Sequence, residues 1–157
     1  MGPELIHATA RTCKASLQAA LDHLSTVDGL SRWNLGMFDT TQEPDGLLTG
    51  LSLFDGTRAY ARAEVDPYKG LVTYRIGADA HTLLPRIQAQ VVDAFALGYE
   101  AGLVLVSLQT WRTRGMDDAR WLRLTTTHET EIDLIKAQLE RGPATDATTR
   151  QRRATAP

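Results

Sequence analysis

One long amphipathic helix near the C-terminus limits the possible folds of this chain more than any other feature. Gly115 breaks the chain, and Asp117 and Asp118 supply an N-cap and a first-turn carboxylate that suit the positive end of a helix. Neither proline nor glycine follows before Gly142, so we predict a helix of about six turns from Asp117 to Glu140. One stripe of residues recurs at helical spacing and must be buried: Trp121, Leu124, Thr125, His128, Ile132, Ile135 and Leu139.

The composition indicates one folded domain of ordinary size. The chain has 157 residues and 43% hydrophobic content, which is enough for a substantial core and too little for a second domain. We place the domain at residues 1–142. The remainder, residues 143–157, is rich in Ala, Thr and Arg without periodicity, and we interpret it as a disordered tail.

Charge and cysteine content indicate which partners and which cellular compartment the domain is suited to. The formal net charge of −2 gives no sign of a nucleic-acid surface, and no apolar run reaches the length of a membrane span. The single cysteine, Cys13, excludes an intramolecular disulfide and fits a reducing compartment. We therefore expect a cytoplasmic protein, and a homodimer stays open.

Upstream of the long helix the sequence has the pattern of an antiparallel sheet. Leu5 to Cys13 alternates in polarity like a strand, with His7 on the face expected to be wetter. Two short helical segments follow, the first after Ser16 and the second ending at Trp33. Six further strands are separated by turn residues, near residues 35–40, 47–54, 57–65, 71–76, 87–97 and 103–112.

One of these strands carries small residues on one face. Ala59, Ala61 and Ala63 alternate with charged or polar residues, so the alanine face leaves room beneath whatever covers it. A sheet with one apolar face needs a cover, and the long helix is the only predicted element large enough. Whether the helix covers a packed core or a cavity is the functional question.

This order of elements resembles the helix-grip fold of the START-like superfamily, also called SRPBCC. That superfamily includes the bacterial polyketide cyclase/dehydrase family and the plant birch-pollen-allergen family. The local matches are Gly29-Leu30-Ser31-Arg32-Trp33 at the entry into the second helix, and Trp111-Arg112 followed by His128 and the amphipathic run from Glu131 to Glu140.

The resemblance implies an α+β fold and a ligand. In this fold a curved, seven-stranded antiparallel sheet with two short helices grips the long C-terminal helix and leaves a mostly apolar cavity between them. A hydrophobic small molecule is then the expected partner, either polyketide-like, another secondary metabolite or a lipid. The superfamily shares no fixed catalytic constellation, so the fold alone does not give the function.

Two side chains are candidates for chemistry. His128 lies on the buried stripe and is a candidate general acid or base, and Glu131, one turn further, either orients it or faces solvent. Tyr74 is the second candidate, because a phenol in a cavity can polarise a carbonyl or hold an enolate. Both remain open to the alternative of a hydrogen-bonded core residue. The candidate ligand-binding residues are Trp33, Met37, Phe38, Phe54, Gln109, Trp111, Trp121 and Thr125.

Several other sites are not predicted. His128-Glu129 lacks the second histidine of a zinc-protease motif, and glycine loops for phosphate are missing, so we predict no metal and no cofactor. The sequence leaves two functions open: an enzyme similar to polyketide aromatase/cyclases, or a non-catalytic ligand carrier or sensor. A protein-interaction domain is less favoured because the charged face of the sheet has no contiguous apolar patch.

Overall fold

A computed structural model of the protein describes residues 4–142. The predicted tail at 143–157 lies outside these residues. The elements in chain order are β1 (Ile6–Lys14), α1 (Leu17–Ser25), α2 (Val27–Trp33), β2 (Met37–Gln42), β3 (Leu48–Ser52), β4 (Arg58–Asp66), β5 (Leu71–Gly77), β6 (Leu84–Asp93), β7 (Leu103–Trp111) and α3 (Asp118–Arg141).

The seven strands form one antiparallel sheet in the order β1-β7-β6-β5-β4-β3-β2. The chain therefore meanders from β2 to β7, and β1 closes on the far side of β7. The α+β helix-grip fold is confirmed, with two short helices and the long α3. The strand predicted at 87–97 is shifted, because it ends at Asp93, whose side chain accepts a 3.0 Å hydrogen bond from Phe95 N and caps a short 3₁₀ turn.

Helix α3 begins where the capping pattern predicts. The Asp117 side chain accepts a 2.7 Å hydrogen bond from Arg120 N, as an N-cap should, and Gly142 ends the helix with a positive φ. The buried residues of α3 are Trp121, His128, Glu131, Ile132 and Ile135. A histidine and a glutamate therefore share the buried stripe with apolar side chains.

The contact between β1 and α3 is polar. His7 Nε2 lies 3.0 Å from Glu129 Oε1, Thr9 Oγ1 donates to Glu129 Oε2 at 3.0 Å, and Arg11 Nε donates to Asp133 at 2.8 Å. The expectation that His7 lies on the wetter face is wrong, because this face of β1 turns toward the helix and the alanine face is exposed. Charge complementarity across the contact explains why a polar strand face can be covered.

Helices α1 and α2 pack closely against each other just before the chain enters β2. A Cβ atom on Gly29 would lie 2.1 Å from His23 O, so only glycine permits this approach of α2 to the end of α1. Trp33 Nε1 donates a 3.1 Å hydrogen bond to His23 O, and its ring meets Tyr74 edge-to-face at 6.0 Å. The Gly29-to-Trp33 segment thus places the Trp33 indole firmly against the inner face of the sheet.

Candidate ligand-binding cavity

A cavity of about 360 Å³ lies between the inner face of the sheet and α3. This volume falls within the range of small-molecule sites. The room comes partly from Ala59 and Ala61 of β4, the small side chains from which the sequence predicted space. The other apolar side chains of its wall include Leu30, Trp33, Met37, Leu48, Phe54, Ile76, Ala78, Ile87, Trp111, Met116 and Leu124.

The structure brings most of the candidate site residues to this cavity. His128 and Tyr74 line it, and so do the ligand-binding candidates Trp33, Met37, Phe54 and Trp111. The helices α2 and α3, the strands β2, β5 and β7, and the turn after β3 each contribute at least one of them.

Four ligand-binding candidates do not line the cavity. Phe38 follows Met37 on the opposite face of β2 and is 44% exposed. Gln109 lies between Leu108 and Thr110, whose buried side chains form the inner face of β7, so its amide points away from the cavity. Two residues of α3 also lie outside the wall: Trp121, which is buried, and Thr125, whose hydroxyl donates to Leu122 O.

His128 and Glu131 form a buried polar pair in the cavity wall. Their side chains are 1% and 4% exposed, and His128 Nε2 lies 3.8 Å from Glu131 Oε2. Glu131 Oε1 accepts a 2.7 Å hydrogen bond from Leu35 N, so the carboxyl is tied to the segment between α2 and β2. In contrast, His128 Nδ1 has no hydrogen-bond partner within residues 4–142.

Burial shifts both groups toward their neutral forms. It lowers the pKa of the His128 imidazole to about 4, helped by nearby His7, and raises the pKa of the Glu131 carboxyl to about 7. The 3.8 Å separation meets the distance limit of an ion pair, but it is too long for a hydrogen bond and the pKa shifts oppose charge on either group. Near pH 7 the His128 imidazole is therefore neutral, whereas the Glu131 carboxyl is about half ionised and readily gains or loses a proton.

Tyr74 contributes its ring to the cavity rather than a free hydroxyl. The phenolic oxygen donates a buried hydrogen bond to Leu24 O of α1. Burial, together with the nearby Glu131 carboxyl, raises the pKa of Tyr74 well above its usual range. The hydroxyl hydrogen is therefore already engaged, and Tyr74 positions the wall.

The mouth of the cavity is rich in arginine. Arg58, Arg86 and Arg120 line this region together with a single aspartate, Asp55. Arg120 Nη1 donates to Asp55 Oδ2 at 3.2 Å and its guanidinium lies 5.6 Å from the centre of the Phe54 ring. Arg58 is exposed at the start of β4, whereas Arg86 is partly buried, and the sequence did not single out Arg86.

Metal-ligating side chains do not cluster in the part of the chain that the structure describes. Within the described range no three His, Cys, Asp or Glu side chains come together as metal ligands. None of the helices in the same range has the apolar length that a bilayer crossing requires. The polar groups of the cavity can donate, accept or carry protons, and its apolar wall can exclude water.

Solved structures with this fold provide the comparison with known proteins. The Aha1 dimer from Colwellia psychrerythraea is 18% identical, with a TM-score of 0.63 over 90% of this chain and 100% of that one. The Zhui aromatase/cyclase from a Streptomyces species is 13% identical, with a TM-score of 0.61 over 87% and 93% of the two chains. A START superfamily protein from Mycobacterium smegmatis is 9% identical, with a TM-score of 0.58 over 88% and 99%.

These likenesses confirm that the chain has the START-like fold. At such low identities they show the fold alone, because one fold hosts many functions. No family model matches the sequence, and no curated protein matches it either. Function must therefore be argued from the cavity.

Proposed function

We propose that this protein binds a hydrophobic small molecule, such as a polyketide-like metabolite or a lipid, in the cavity between the sheet and α3. The observation that carries the proposal is a cavity of about 360 Å³ with a largely apolar wall and a few buried polar groups. Two of these groups, the His128 imidazole and the Glu131 carboxyl, lie in the cavity wall and can hydrogen-bond a polar group of the ligand. The polyketide cyclases and START-like proteins among the structural neighbours share the fold in which such cavities occur.

A cavity-filling substitution tests this proposal. Ala61→Phe places a ring inside the cavity wall, whereas Ala10→Phe makes the same change on the exposed face of β1. We expect decanol, a neutral probe, to quench or shift the fluorescence of Trp33 and Trp111 and to bind Ala61→Phe at least tenfold more weakly. Ala10→Phe should bind like the wild type. Equal binding by all three proteins would place the decanol site elsewhere.

Acid–base catalysis on the bound molecule is the second candidate function. An enzyme of this kind needs at least two polar groups that border one cavity, and the His128–Glu131 pair has that arrangement. With a pKa near 7, Glu131 is the better proton carrier at neutral pH, whereas the lowered pKa of His128 leaves its imidazole neutral. A pure carrier has no need of a buried, readily titrated carboxyl.

The chemistry we propose is cyclisation or dehydration of a ketone-bearing substrate. In the dehydration, the Glu131 carboxylate removes a proton from the carbon next to a carbonyl, and a carbon–carbon double bond forms as the carbon–oxygen bond at the next carbon breaks. The hydroxyl leaves as water by taking up the proton that Glu131 removed, which restores the carboxylate. Neutral His128 can hydrogen-bond a substrate oxygen and hold it in place, and Tyr74 keeps the wall rigid. The cavity further accelerates the reaction by holding the substrate in position and by excluding water.

A phenyl-substituted β-hydroxyketone provides the assay, because loss of water gives a conjugated enone that absorbs in the near ultraviolet. For wild type we expect kcat/KM to rise with pH through about 7, as Glu131 ionises. Glu131→Gln should abolish turnover, and His128→Gln should reduce it strongly while changing binding by less than about tenfold. Tight binding without turnover in wild type would favour a carrier.

A further inference from the structure

The polypeptide makes a β-bulge at Arg86, beside the cavity. In the pairing of β5 with β6, Tyr74 faces Ile87 and Arg75 faces Pro85, so Arg86 is the extra residue. Thr110 Oγ1 donates a 3.0 Å hydrogen bond to Arg86 O and fixes this bulge to β7. Bulges redirect side chains and are enriched next to functional sites. Here the bulge adds the Arg86 side chain to the wall beside its neighbour Ile87.

Arg86 is held in the wall without a countercharge. In residues 4–142 its guanidinium forms no ion pair, although the residue is only partly accessible. Burial and the nearby Arg120 lower the pKa of Arg86, as expected for a partly desolvated cation with a second cation in its neighbourhood. A partly buried cation is unfavourable unless an anion or strong acceptors meet it.

The charges around Arg86 do not balance within the cavity mouth. Two carboxyls line the cavity among residues 4–142, and both are already engaged. Asp55 is paired with Arg120 and bonded to Thr57, and Glu131 accepts a hydrogen bond from Leu35 N. Arg58 also lines the cavity and, in the part of the chain that the structure describes, has no ion-pair partner. Arg75 offers the contrast, because on the outer face of the same strand pair its Nε donates to Glu64 at 2.8 Å.

From this arrangement we infer that the mouth of the cavity binds an oxyanion carried at one end of the ligand. The ligand is then an amphipathic acid, with its apolar part against the alanine face and its carboxylate or phosphate against Arg86. The planar guanidinium donates two parallel hydrogen bonds to either oxyanion, a match that neutral ligands lack. This inference rests on the proposed function, since it names the class of molecule that the cavity takes and the direction in which it enters.

A panel of decyl compounds tests the inference by isothermal titration calorimetry. Decanoate and decyl phosphate carry an oxyanion, decanol is neutral, and decyltrimethylammonium is cationic. We expect wild type to bind the better of the two anions at least tenfold more tightly than decanol, and the cation most weakly. Whether decanoate or decyl phosphate binds more tightly then identifies the ligand as a carboxylic acid or a phosphate ester.

Variants assign the effect to the bulge arginine. Arg86→Gln should lower the affinity for the preferred anion at least tenfold and change the affinity for decanol by less than about threefold. Arg86→Lys should bind the preferred anion more tightly than Arg86→Gln but more weakly than wild type, because lysine keeps the positive charge but cannot donate two parallel hydrogen bonds. Arg75→Gln is the matched control and should bind all probes like wild type. Circular dichroism and decanol affinity check that Arg86→Gln is folded.

The outcomes separate the two proposals. If decanol binds as tightly as both anions, and Arg86→Gln changes nothing, the oxyanion site is overturned while the apolar cavity stands. If wild type binds neither decanol nor an anion, both proposals fall. Because the ranking of headgroups is measured on wild type, the inference can be overturned even where a variant folds poorly.

Discussion

Replacing Glu131 by glutamine should change how the stability of this protein depends on pH. The carboxyl is 4% exposed, and burial raises its pKa from 4.5 to about 7. Each unit of pKa corresponds to about 1.4 kcal/mol, so ionising Glu131 in the folded protein costs roughly 3 kcal/mol. Glutamine keeps the oxygen that accepts the hydrogen from Leu35 N but cannot ionise.

The direction in which stability changes with pH follows from the raised pKa of Glu131 in the folded state. Below pH 4.5 the carboxyl is protonated in both the folded and unfolded chains, and its stabilising contribution is complete. As the pH rises through about 7 the unfolded chain loses its proton first, so the free energy of unfolding of wild type falls. The stability of Glu131→Gln relative to wild type should therefore increase by roughly 3 kcal/mol between pH 4.5 and about pH 8.

Urea denaturation followed by tryptophan fluorescence measures this difference at each pH. The same substitution at exposed Glu43 is the control, and its pH dependence should follow that of wild type. Parallel curves for wild type and Glu131→Gln would refute the conclusion that Glu131 is a buried carboxyl with a raised pKa. The proposed proton carrier would then lose its physical basis.

Three further predictions follow from the same geometry. His128→Gln should be less sensitive to acid than wild type, because burial lowers the pKa of His128 to about 4 and the folded protein therefore resists protonation of the imidazole. Between pH 6.5 and about 4 the free energy of unfolding of the variant should fall by roughly 3 kcal/mol less than that of wild type. Urea titrations at both pH values measure this difference. Gly29→Ala should destabilise by at least about 2 kcal/mol, since its Cβ would meet His23 O. Gly36→Ala, whose Cβ has ordinary contacts, should cost much less in the same denaturation assay. If the cavity has room for the added ring, Ala61→Phe should raise the thermal midpoint of unfolding or leave it unchanged. A drop of several degrees would show that the protein's own side chains already fill this space.

Local signals predicted the fold well because each one acts over a few residues. Alternating polarity and turn residues marked the seven strands, and Asp117 marked the start of α3, since capping depends only on neighbouring backbone groups. The faces of β1 were assigned the wrong way round. The polar side chains of His7 and Arg11 are typical of a solvated face. In the structure they contact Glu129 and Asp133, which lie more than a hundred residues away in the sequence.

The candidate site was only partly accessible to sequence reasoning. His128 and Tyr74 were placed on the inner faces by periodicity, whereas the bond from Tyr74 to Leu24 O depends on packing between distant elements. Glu131 stayed ambiguous because a glutamate on a helix is usually solvated, although its three-residue spacing from His128 was the signal that could have placed it. Arg86 was missed because the predicted strand began at residue 87, whereas β6 begins at Leu84; the β-bulge at Arg86 also breaks the two-residue alternation from which strand faces are inferred.

Native mass spectrometry of the protein, purified without refolding, measures whether the cavity holds a ligand. Wild type and Ala10→Phe should each carry a small molecule that is lost on denaturation, or take up one decanol or decanoate molecule per chain. Ala61→Phe should carry less of it, because the ring occupies the same space. A wild-type protein that shows only the mass of its sequence, before and after incubation with these probes, would contradict the account of a ligand-binding cavity.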